Sequence, residues 1–266
     1  APAETGLQIP EVVAGKFNVG MVLIGPHNDG GWSQAHWEGL EYIVQNVPNV
    51  NAAYIENVPE GAESEQVFRS MARKGFDLIF GTFSSKLTFP ASAITELAKY
   101  LHPIPSAAAL RVYERGFEYL VYFQPNAAEY IGASPVMMLK DLVPADQQPA
   151  SIAIAYADDF YASALVTGLL GSDVTFTNND GTQKTVSLAP GVLAEAGFTN
   201  IVFNEMWPEG FTDWTTLASK IKAANADFLF APVTSADEAI QLVRALQQVD
   251  YQPKGIFMSQ GAQAEF

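Results

Sequence analysis

One local pattern occurs twice in this chain, and the repeat limits the folds that the chain can adopt. The first copy joins a V-P-E-G turn at residues 58–61 to the apolar strand F-D-L-I-F at 76–80 through a helical stretch. The second copy joins W-P-E-G at 207–210 to A-D-F-L-F at 226–230 in the same way. The copies lie about 150 residues apart, far beyond the period of roughly 20–50 residues that is typical of solenoids. The repeat therefore favours duplication of a whole α/β lobe, and two such lobes predict an interlobe cleft, a common site for small molecules.

Composition excludes several classes of protein. The chain has 266 residues, 48% of them hydrophobic and 16% charged, so it has enough apolar material for one large or two ordinary globular domains. Its formal charge of −15 argues against a nucleic-acid partner, because an excess of Lys and Arg is needed to neutralise phosphates. The same charge disfavours adsorption to anionic lipid. The chain contains no cysteine, and no apolar run approaches the roughly 20 residues needed to span a bilayer.

Residues 1–16 read as a leader and linker that precede the first domain. Ala1-Pro2-Ala3-Glu4-Thr5-Gly6 is small, polar and turn-prone, and the first strong strand pattern begins only at Phe17. Such a leader is typical of what remains after a signal peptidase cuts at a small-residue site. We therefore expect an extracytoplasmic protein, periplasmic or at the cell surface. The alternative is that residue 1 is an arbitrary boundary of the sequence and not the site of a signal-peptidase cut.

Apolar periodicity over residues 17–124 predicts the first lobe. Residues 17–24 form a mostly apolar strand, as expected for a parallel sheet covered on both faces. The helix predicted at 33–46 carries one apolar stripe. The helix predicted at 62–74 is followed by Gly75, a residue that suits the left-handed conformation at a helix end. The other elements predicted in this lobe are strands at 51–55, 76–80, 104–110 and 118–123 and a helix at 89–100.

Residues 125–150 are predicted to cross between the lobes, and residues 151–266 to form the second lobe. The crossover contains a helix at 127–142 and a polar linker. The second lobe has predicted strands at 151–156, 201–204, 227–231 and 254–258 and helices at 160–170, 213–224 and 236–249. Asn179-Asp180-Gly181 lies between two β-prone runs and predicts an inserted β-hairpin. We favour a plain turn there over a calcium loop, because the spaced carboxylates of an EF-hand are missing.

Strands that alternate with helices predict an α/β fold of two similar lobes, each a parallel sheet flanked by helices. In such sheets ligands lie outside the carboxyl ends of the strands, so the loops that follow the strands are the candidate binding segments. These loops combine short hydroxyl, amide and carboxylate side chains with aromatic residues, at 25–33, 81–85, 157–161, 232–235 and 259–261. This composition suits a neutral polar ligand with a flat face.

The first of these loops carries a family resemblance. N-D-G-G-W-S-Q at 28–34, followed by H-W-E-G-L at 36–40, resembles the basic membrane protein family of solute-binding lipoproteins. G-F-D-L-I-F-G at 75–81 is similar to the third strand of that family. The second half instead resembles branched-chain amino acid and amide-binding proteins, at 156–159, 209–213 and 256–259. Both families share the type I periplasmic-binding-protein fold, which the resemblance implies for this chain.

The resemblance implies binding without catalysis, usually to feed an ABC importer whose permease would be the partner. The first family commonly binds nucleosides, so Trp32 would stack on the ligand, with Asn28 and Asp29 as hydrogen-bonding groups and Phe83 as the opposite wall. Trp32 could instead anchor the first helix, and Asp158 or Asp159 could cap a helix rather than bind a ligand. The expected ligand-binding residues are Asn28, Asp29, Trp32, Ser33, Thr82, Phe83, Tyr156, Asp158, Asp159, Thr234 and Gln260.

The chain departs from the two families in two ways. No cysteine stands at its start to carry a lipid anchor, so the anchor is either absent or was removed. Members of these families usually continue for several more elements beyond the point that corresponds to Phe266, so either the sequence is incomplete or this protein lacks those elements. Their loss would affect hinge closure and docking to an importer.

Enzymatic functions are disfavoured, because the chain has no G-x-S-x-G elbow, no phosphate-binding loop with lysine and no G-x-G-x-x-G. His27, Asp29 and His36 match no standard metal-site spacing, and no cofactor is implied. We predict an extracytoplasmic solute-binding protein that captures a nucleoside-like small molecule for an ABC importer. The alternatives are a protein that binds a branched-chain amino acid, an amide or urea, and a solute-binding fold recruited to self-assemble as a structural protein of the cell exterior.

Overall fold

The computed structural model describes residues 7–59, 61–124, 126–178 and 180–260. The chain divides into two compact units. The first comprises the residues up to 125 together with 177–182, and the second comprises the rest. Parts of the predicted leader (residues 1–6), of the first P-E-G turn (Glu60), of the crossover (Pro125), of the hairpin turn (Asn179) and of the last loop (Gly261 onward) lie outside the described residues.

The first unit is built on a parallel sheet with helices on both sides. Its elements are β1 (Phe17–Val22), α1 (Trp32–Asn46), β2 (Val50–Ile55), α2 (Ala62–Lys74), β3 (Leu78–Phe80), α3 (Ser85–Ala98), β4 (His102–Ile104), α4 (Leu110–Tyr113) and β5 (Leu120–Tyr122). Strands β2, β1 and β3 pair in that order and are all parallel. Strands β4 and β5 form a separate parallel pair. The predicted parallel sheet of the first lobe is confirmed.

Strand β1 lies at the centre of this unit and is covered on both faces. Met21 and Leu23 pack with Leu40 of α1, whereas Val22 packs with Phe68 and other buried side chains of α2. Complete burial of one such side chain contributes about 1.5–3 kcal/mol. The near-continuous apolar sequence of β1 follows from this double coverage, since a strand with one wet face would alternate polar and apolar residues.

The second unit holds a four-stranded parallel sheet in the order β11–β10–β6–β9. It begins with the short helices α5 (Ala128–Ile131) and α6 (Ala133–Leu142). Its remaining elements are β6 (Ile152–Ala157), α7 (Phe160–Leu170), β7 (Val174–Thr177), β8 (Gln183–Val186), α8 (Val192–Glu195), β9 (Ile201–Trp207), α9 (Trp214–Ala224), β10 (Phe228–Ala231), α10 (Ala236–Gln248) and β11 (Gly255–Met258). Strands β7 and β8 pair at the position of the predicted hairpin.

The sequence repeat corresponds to a repeat of topology. The order β2–β1–β3 in the first unit matches β9–β6–β10 in the second, and α2 and α9 occupy equivalent places in the chain. Helix α2 ends at Gly75 and α9 at Asn225, both in the left-handed conformation. The two units therefore share the order of their strands and also the left-handed residue that ends α2 and α9.

The repeat extends to individual hydrogen bonds at the amino ends of the strands. The Asp77 carboxylate accepts from the backbone N–H of Asn18 at 2.7 Å, and the Asp227 carboxylate accepts from that of Ala150 at 2.7 Å. Each aspartate precedes a strand and binds the entry of the neighbouring central strand. The aspartate that opens each copy of the sequence motif thus has the same structural task in both units.

Four sequence predictions about secondary structure are wrong. Helix α3 begins at Ser85 rather than at Phe89, because the Ser84 hydroxyl accepts from the Leu87 N–H and caps it, leaving Pro90 inside the helix. The strand predicted at 104–110 is wrong, because β4 ends at Ile104 and Leu110 begins helix α4; β4 and β5 also pair in parallel rather than through a turn at 114–116. The helix predicted at 127–142 is divided at Gly132 into α5 and α6.

Candidate functional site

The loops that follow β1, β2 and β3 gather at one edge of the first sheet, because the carboxyl ends of parallel strands lie at the same edge. Two of these loops are bonded to each other. The backbone N–H of His27 donates to the Glu56 carboxylate at 2.7 Å, and the His27 ring nitrogen Nδ1 lies 2.8 Å from the same oxygen. These two contacts lower the pKa of Glu56, and they hold the loop after β1 against the loop after β2.

Asp29 caps helix α1. Its carboxylate accepts from the backbone N–H groups of Gly31, Ser33 and Gln34 at 2.8, 3.1 and 3.0 Å. Burial raises the pKa of Asp29, but the hydrogen bonds from Gln34, Gly31 and Ser33 outweigh that effect and hold the pKa below its usual range. The carboxylate that was expected to bind the ligand is therefore engaged in ordering the first turn of α1.

Trp32 opens α1 and lies among aromatic rings. The His36 ring stacks on the indole, with centroids 4.1 Å apart and planes inclined by 29°. Phe83, from the loop after β3, meets Trp32 edge to face at 5.3 Å and 70°. The expectation that Trp32 and Phe83 form two opposite walls around a flat ligand is thus not met in this arrangement, because the two rings are in direct contact.

The other predicted residues of this unit differ in exposure. Asn28 is exposed, and Ser33 is buried, with its backbone N–H bonded to the Asp29 carboxylate. Thr82 is also buried, and its hydroxyl is hydrogen-bonded to that of Thr88. Of these three side chains, only that of Asn28 is open to solvent.

The loop after β3 is held in place by a buried histidine that the sequence analysis missed. His102 is fully buried, its Nε2 lies 2.5 Å from the carbonyl oxygen of Gly81, and its Nδ1 lies 3.0 Å from the Thr95 hydroxyl. Burial lowers the pKa of His102 to about 4, against the opposing effect of the Gly81 carbonyl. The ring is therefore neutral at pH 7, with Nε2–H donating to Gly81 and Nδ1 accepting from Thr95.

Gly81 begins the loop after β3 and allows the backbone to change direction there. Its φ is +117°, and a Cβ at this position would lie 2.8 Å from the backbone oxygen of Val22. Only glycine fits both conditions. The backbone therefore approaches β1 closely here, and this approach sets where Thr82 and Phe83 emerge from the sheet.

In the second unit, the loop after β6 carries two adjacent aspartates with different surroundings. The Asp159 carboxylate accepts from the backbone N–H groups of Tyr161 and Ala162 at 2.8 and 3.3 Å and caps α7. Asp158 is exposed. Asp159 therefore caps a helix, as the sequence analysis allowed for one of the two aspartates. The side chain of Asp158 is exposed at the carboxyl edge of the second sheet.

Thr234 belongs to a hydrogen-bond network centred on Glu238. Its backbone N–H and its hydroxyl both donate to one Glu238 oxygen, at 2.7 and 2.9 Å. The other Glu238 oxygen accepts from the indole N–H of Trp207 at 3.0 Å. Glu238 thus joins the loop after β10 to the end of β9, a role that no local sequence signal indicated.

The remaining predicted residues of the second unit, Tyr156 and Gln260, are partly buried. Tyr156 packs against both core clusters of this unit. The neighbouring Tyr161 was not predicted. Burial raises the pKa of its hydroxyl, against the opposing effect of the Ser259 hydroxyl beside it. Ser259 in turn donates to the backbone oxygen of Val233 at 2.7 Å, so the loops after β10 and β11 are tied together.

The predicted residues therefore fall into two groups, each at the carboxyl edge of one sheet. The first group is Asn28, Asp29, Trp32, Ser33, Thr82 and Phe83, and the second is Tyr156, Asp158, Asp159, Thr234 and Gln260. Within the described ranges, no three His, Cys, Asp or Glu side chains are grouped so that they could hold a metal ion. In the same part of the chain, no helix combines the length and apolar character needed to cross a membrane.

Comparison with known families and proteins supports the resemblances seen in the sequence. Residues 16–89 match the model of the Bmp family, described as ABC transporter substrate-binding protein PnrA-like. A purine-binding protein of Brucella abortus is 38% identical over 68 residues, which cover 25% of this chain and 19% of that protein. A Leu/Ile/Val-binding protein homologue of Brucella suis is 28% identical over 181 residues, which cover 67% of this chain and 40% of that protein.

The fold has a close counterpart among solved structures. The leucine-binding protein LivK of Thermotoga maritima superimposes with a TM-score of 0.68 at 14% identity, over 92% of this chain and 63% of that chain. The chain spans less than half the length of each of these two curated relatives. The chain has the type I periplasmic-binding-protein fold. Residues 16–89 resemble the Bmp family, and about two thirds of the chain resembles a Leu/Ile/Val-binding protein homologue.

Proposed function

We propose that this chain is the solute-binding component of an ABC importer, which captures a small polar molecule outside the cytoplasm. One observation carries the proposal: Trp32, at the start of α1, and Phe83, on the loop after β3, meet at the carboxyl edge of the first sheet, where Asp29 and His102 hold their segments in place. Both aromatic residues lie within the segment that matches the Bmp family. Rigid loops that present aromatic side chains at this edge are suited to binding a ligand.

The carboxylates at the carboxyl edges of the two sheets favour binding over catalysis. The Asp29, Asp159 and Glu238 carboxylates each accept hydrogen bonds from backbone N–H groups of the loops or helix ends beside them. A general base must reach the proton that it abstracts, and these carboxylates are already engaged in holding the loops. They support a function that needs a fixed shape rather than proton transfer.

A nucleoside or a related heterocycle is the leading ligand. The aromatic group formed by Trp32, His36 and Phe83 suits a flat, polar ring, and the purine-binding protein of Brucella abortus is a relative. The second candidate is a branched-chain amino acid. It is favoured by the longer match to the Leu/Ile/Val-binding homologue, which covers 67% of this chain.

Native mass spectrometry of the gently purified chain, followed by calorimetry with adenosine, inosine, leucine and urea, tests the proposal. We expect a monomer that carries one small adduct, whose mass separates a nucleoside from an amino acid. A protein without an adduct that binds none of the four compounds would contradict the proposal.

Replacement of Trp32 tests whether this edge binds the ligand. Trp32→Ala is expected to weaken binding by about 1–3 kcal/mol, the usual contribution of an aromatic side chain to a base contact. Tyr42→Ala is the matched control, because Tyr42 lies on the same helix and is 66% exposed. Unchanged calorimetric affinity in Trp32→Ala would remove Trp32 from the site.

A further inference from the structure

The surroundings of Trp32 restrict how its indole can meet a ligand. His36 lies four residues further along α1 and stacks on the indole at 4.1 Å. The His36 ring is fixed by its own hydrogen bond, since Nδ1–H donates to the backbone oxygen of Trp32 at 2.7 Å. One face of the indole is therefore covered by a side chain that is held in place, and Phe83 meets the ring as well.

The indole nitrogen has an unusual position. Nε1 of Trp32 is buried, and no atom of the described residues accepts a hydrogen bond from it. The chain contains a direct contrast, because the indole N–H of Trp207, a side chain only 1% exposed, donates to Glu238 at 3.0 Å. Buried donors are nearly always paired in folded proteins, since an unpaired one loses its hydrogen bond to water without replacement. The indole N–H of Trp32 is thus a buried hydrogen-bond donor, at the carboxyl edge of the first sheet, that has no acceptor among the described residues.

We infer that Trp32 recognises its ligand by donating the indole N–H, and that it is not simply an open stacking platform. The acceptor would lie near the plane of the indole: a ring nitrogen or carbonyl oxygen of a heterocycle, or the carboxylate oxygen of an amino acid. A hydrogen bond formed away from solvent is stronger than one in water, so this donor discriminates against ligands that present no acceptor there. The inference rests on the proposed solute-binding function and specifies which part of Trp32 is used.

Heteronuclear NMR of the unmodified chain gives a direct test. The protein has four tryptophans, so four indole N–H signals are expected, and Trp32→Phe assigns one of them by its loss. Inosine, adenosine and leucine are the probes. We expect the Trp32 indole proton to move downfield when a probe binds, whereas the Trp207 signal, already bonded to Glu238, stays in place. A shift with inosine identifies a base acceptor, and a shift with leucine identifies a carboxylate.

Affinity provides the second measurement. Trp32→Phe keeps an aromatic ring but removes the donor, and we expect about five- to tenfold weaker binding of the probe that shifts the signal. Trp37→Phe is the matched control on the same helix and should bind as the wild type does. Binding of a probe without movement of the Trp32 signal, together with unchanged affinity in Trp32→Phe, would overturn the inference and leave the proposed function intact. Failure of every probe to bind the wild type would contradict both.

Discussion

Acidification is expected to destabilise this protein through His102. The folded state holds this ring neutral, with the pKa lowered from 6.5 to about 4 by burial, whereas the unfolded chain protonates it near the ordinary value. Between these two values the unfolded state binds one proton more than the folded state, so stability falls as the pH falls. The stabilisation is complete above pH 6.5 and is lost progressively towards pH 4. The difference in pKa corresponds to about 3 kcal/mol over the whole interval.

Urea unfolding of the wild type and of His102→Gln, measured at several pH values between 7 and 4, isolates this contribution. The glutamine variant keeps an amide donor for the Gly81 carbonyl and cannot be protonated in this range. We expect it to be less stable at pH 7 but to lose about 3 kcal/mol less than the wild type on acidification. Because all other titratable groups are the same in both proteins, the difference between the two curves reports His102 alone. Parallel curves would refute the reasoning.

Two further predictions concern packing and the repeated hydrogen bonds. Gly168→Ala should destabilise the second unit by 3 kcal/mol or more, roughly the upper end for overpacked cores, because the new Cβ would lie 1.6 Å from the Glu129 backbone oxygen. In contrast, Gly39→Ala on α1, where nothing lies within 4 Å, should stabilise by about 0.5–1 kcal/mol, so equal effects in thermal unfolding would contradict the prediction. Asp77→Ala and Asp227→Ala should each cost about 1 kcal/mol, since each removes one acceptor of a backbone N–H. Urea unfolding that shows a loss in only one of the two aspartate variants would show that the bonds are not equivalent.

Much of the fold could be predicted because its signals are local. Helix α2 has its predicted bounds of Ala62 and Lys74, since the amphipathic stripe and Gly75 mark its end independently. Helix α3 shows where such signals conflict. Pro90 is typical of a first turn, but the Ser84 cap lies six residues earlier and sets the start of the helix. Residues 110–113 are only four residues long, too short for periodicity to assign them to a helix or a strand.

The candidate site was harder to predict because its supporting contacts are distant in sequence. The alternation of elements was enough to locate the candidate loops, whereas the roles expected of Asn28, Trp32 and Phe83 came from the family resemblance. Nothing local, however, indicates that His102 binds the carbonyl of Gly81 across 21 positions. Nor does spacing decide whether Asp29 binds a ligand or caps α1, since the same residue type suits both tasks.

The aspartate bonds of the repeat have a consequence for how such a protein can diversify. Asp77 and Asp227 bind at the amino ends of their strands, whereas the aromatic and polar loops lie at the carboxyl ends. The two ends of one strand are separated by its length, so a substitution at one end leaves the bonds of the other end in place. Loops at the carboxyl edge can therefore change in sequence while the scaffold beneath them keeps its stability.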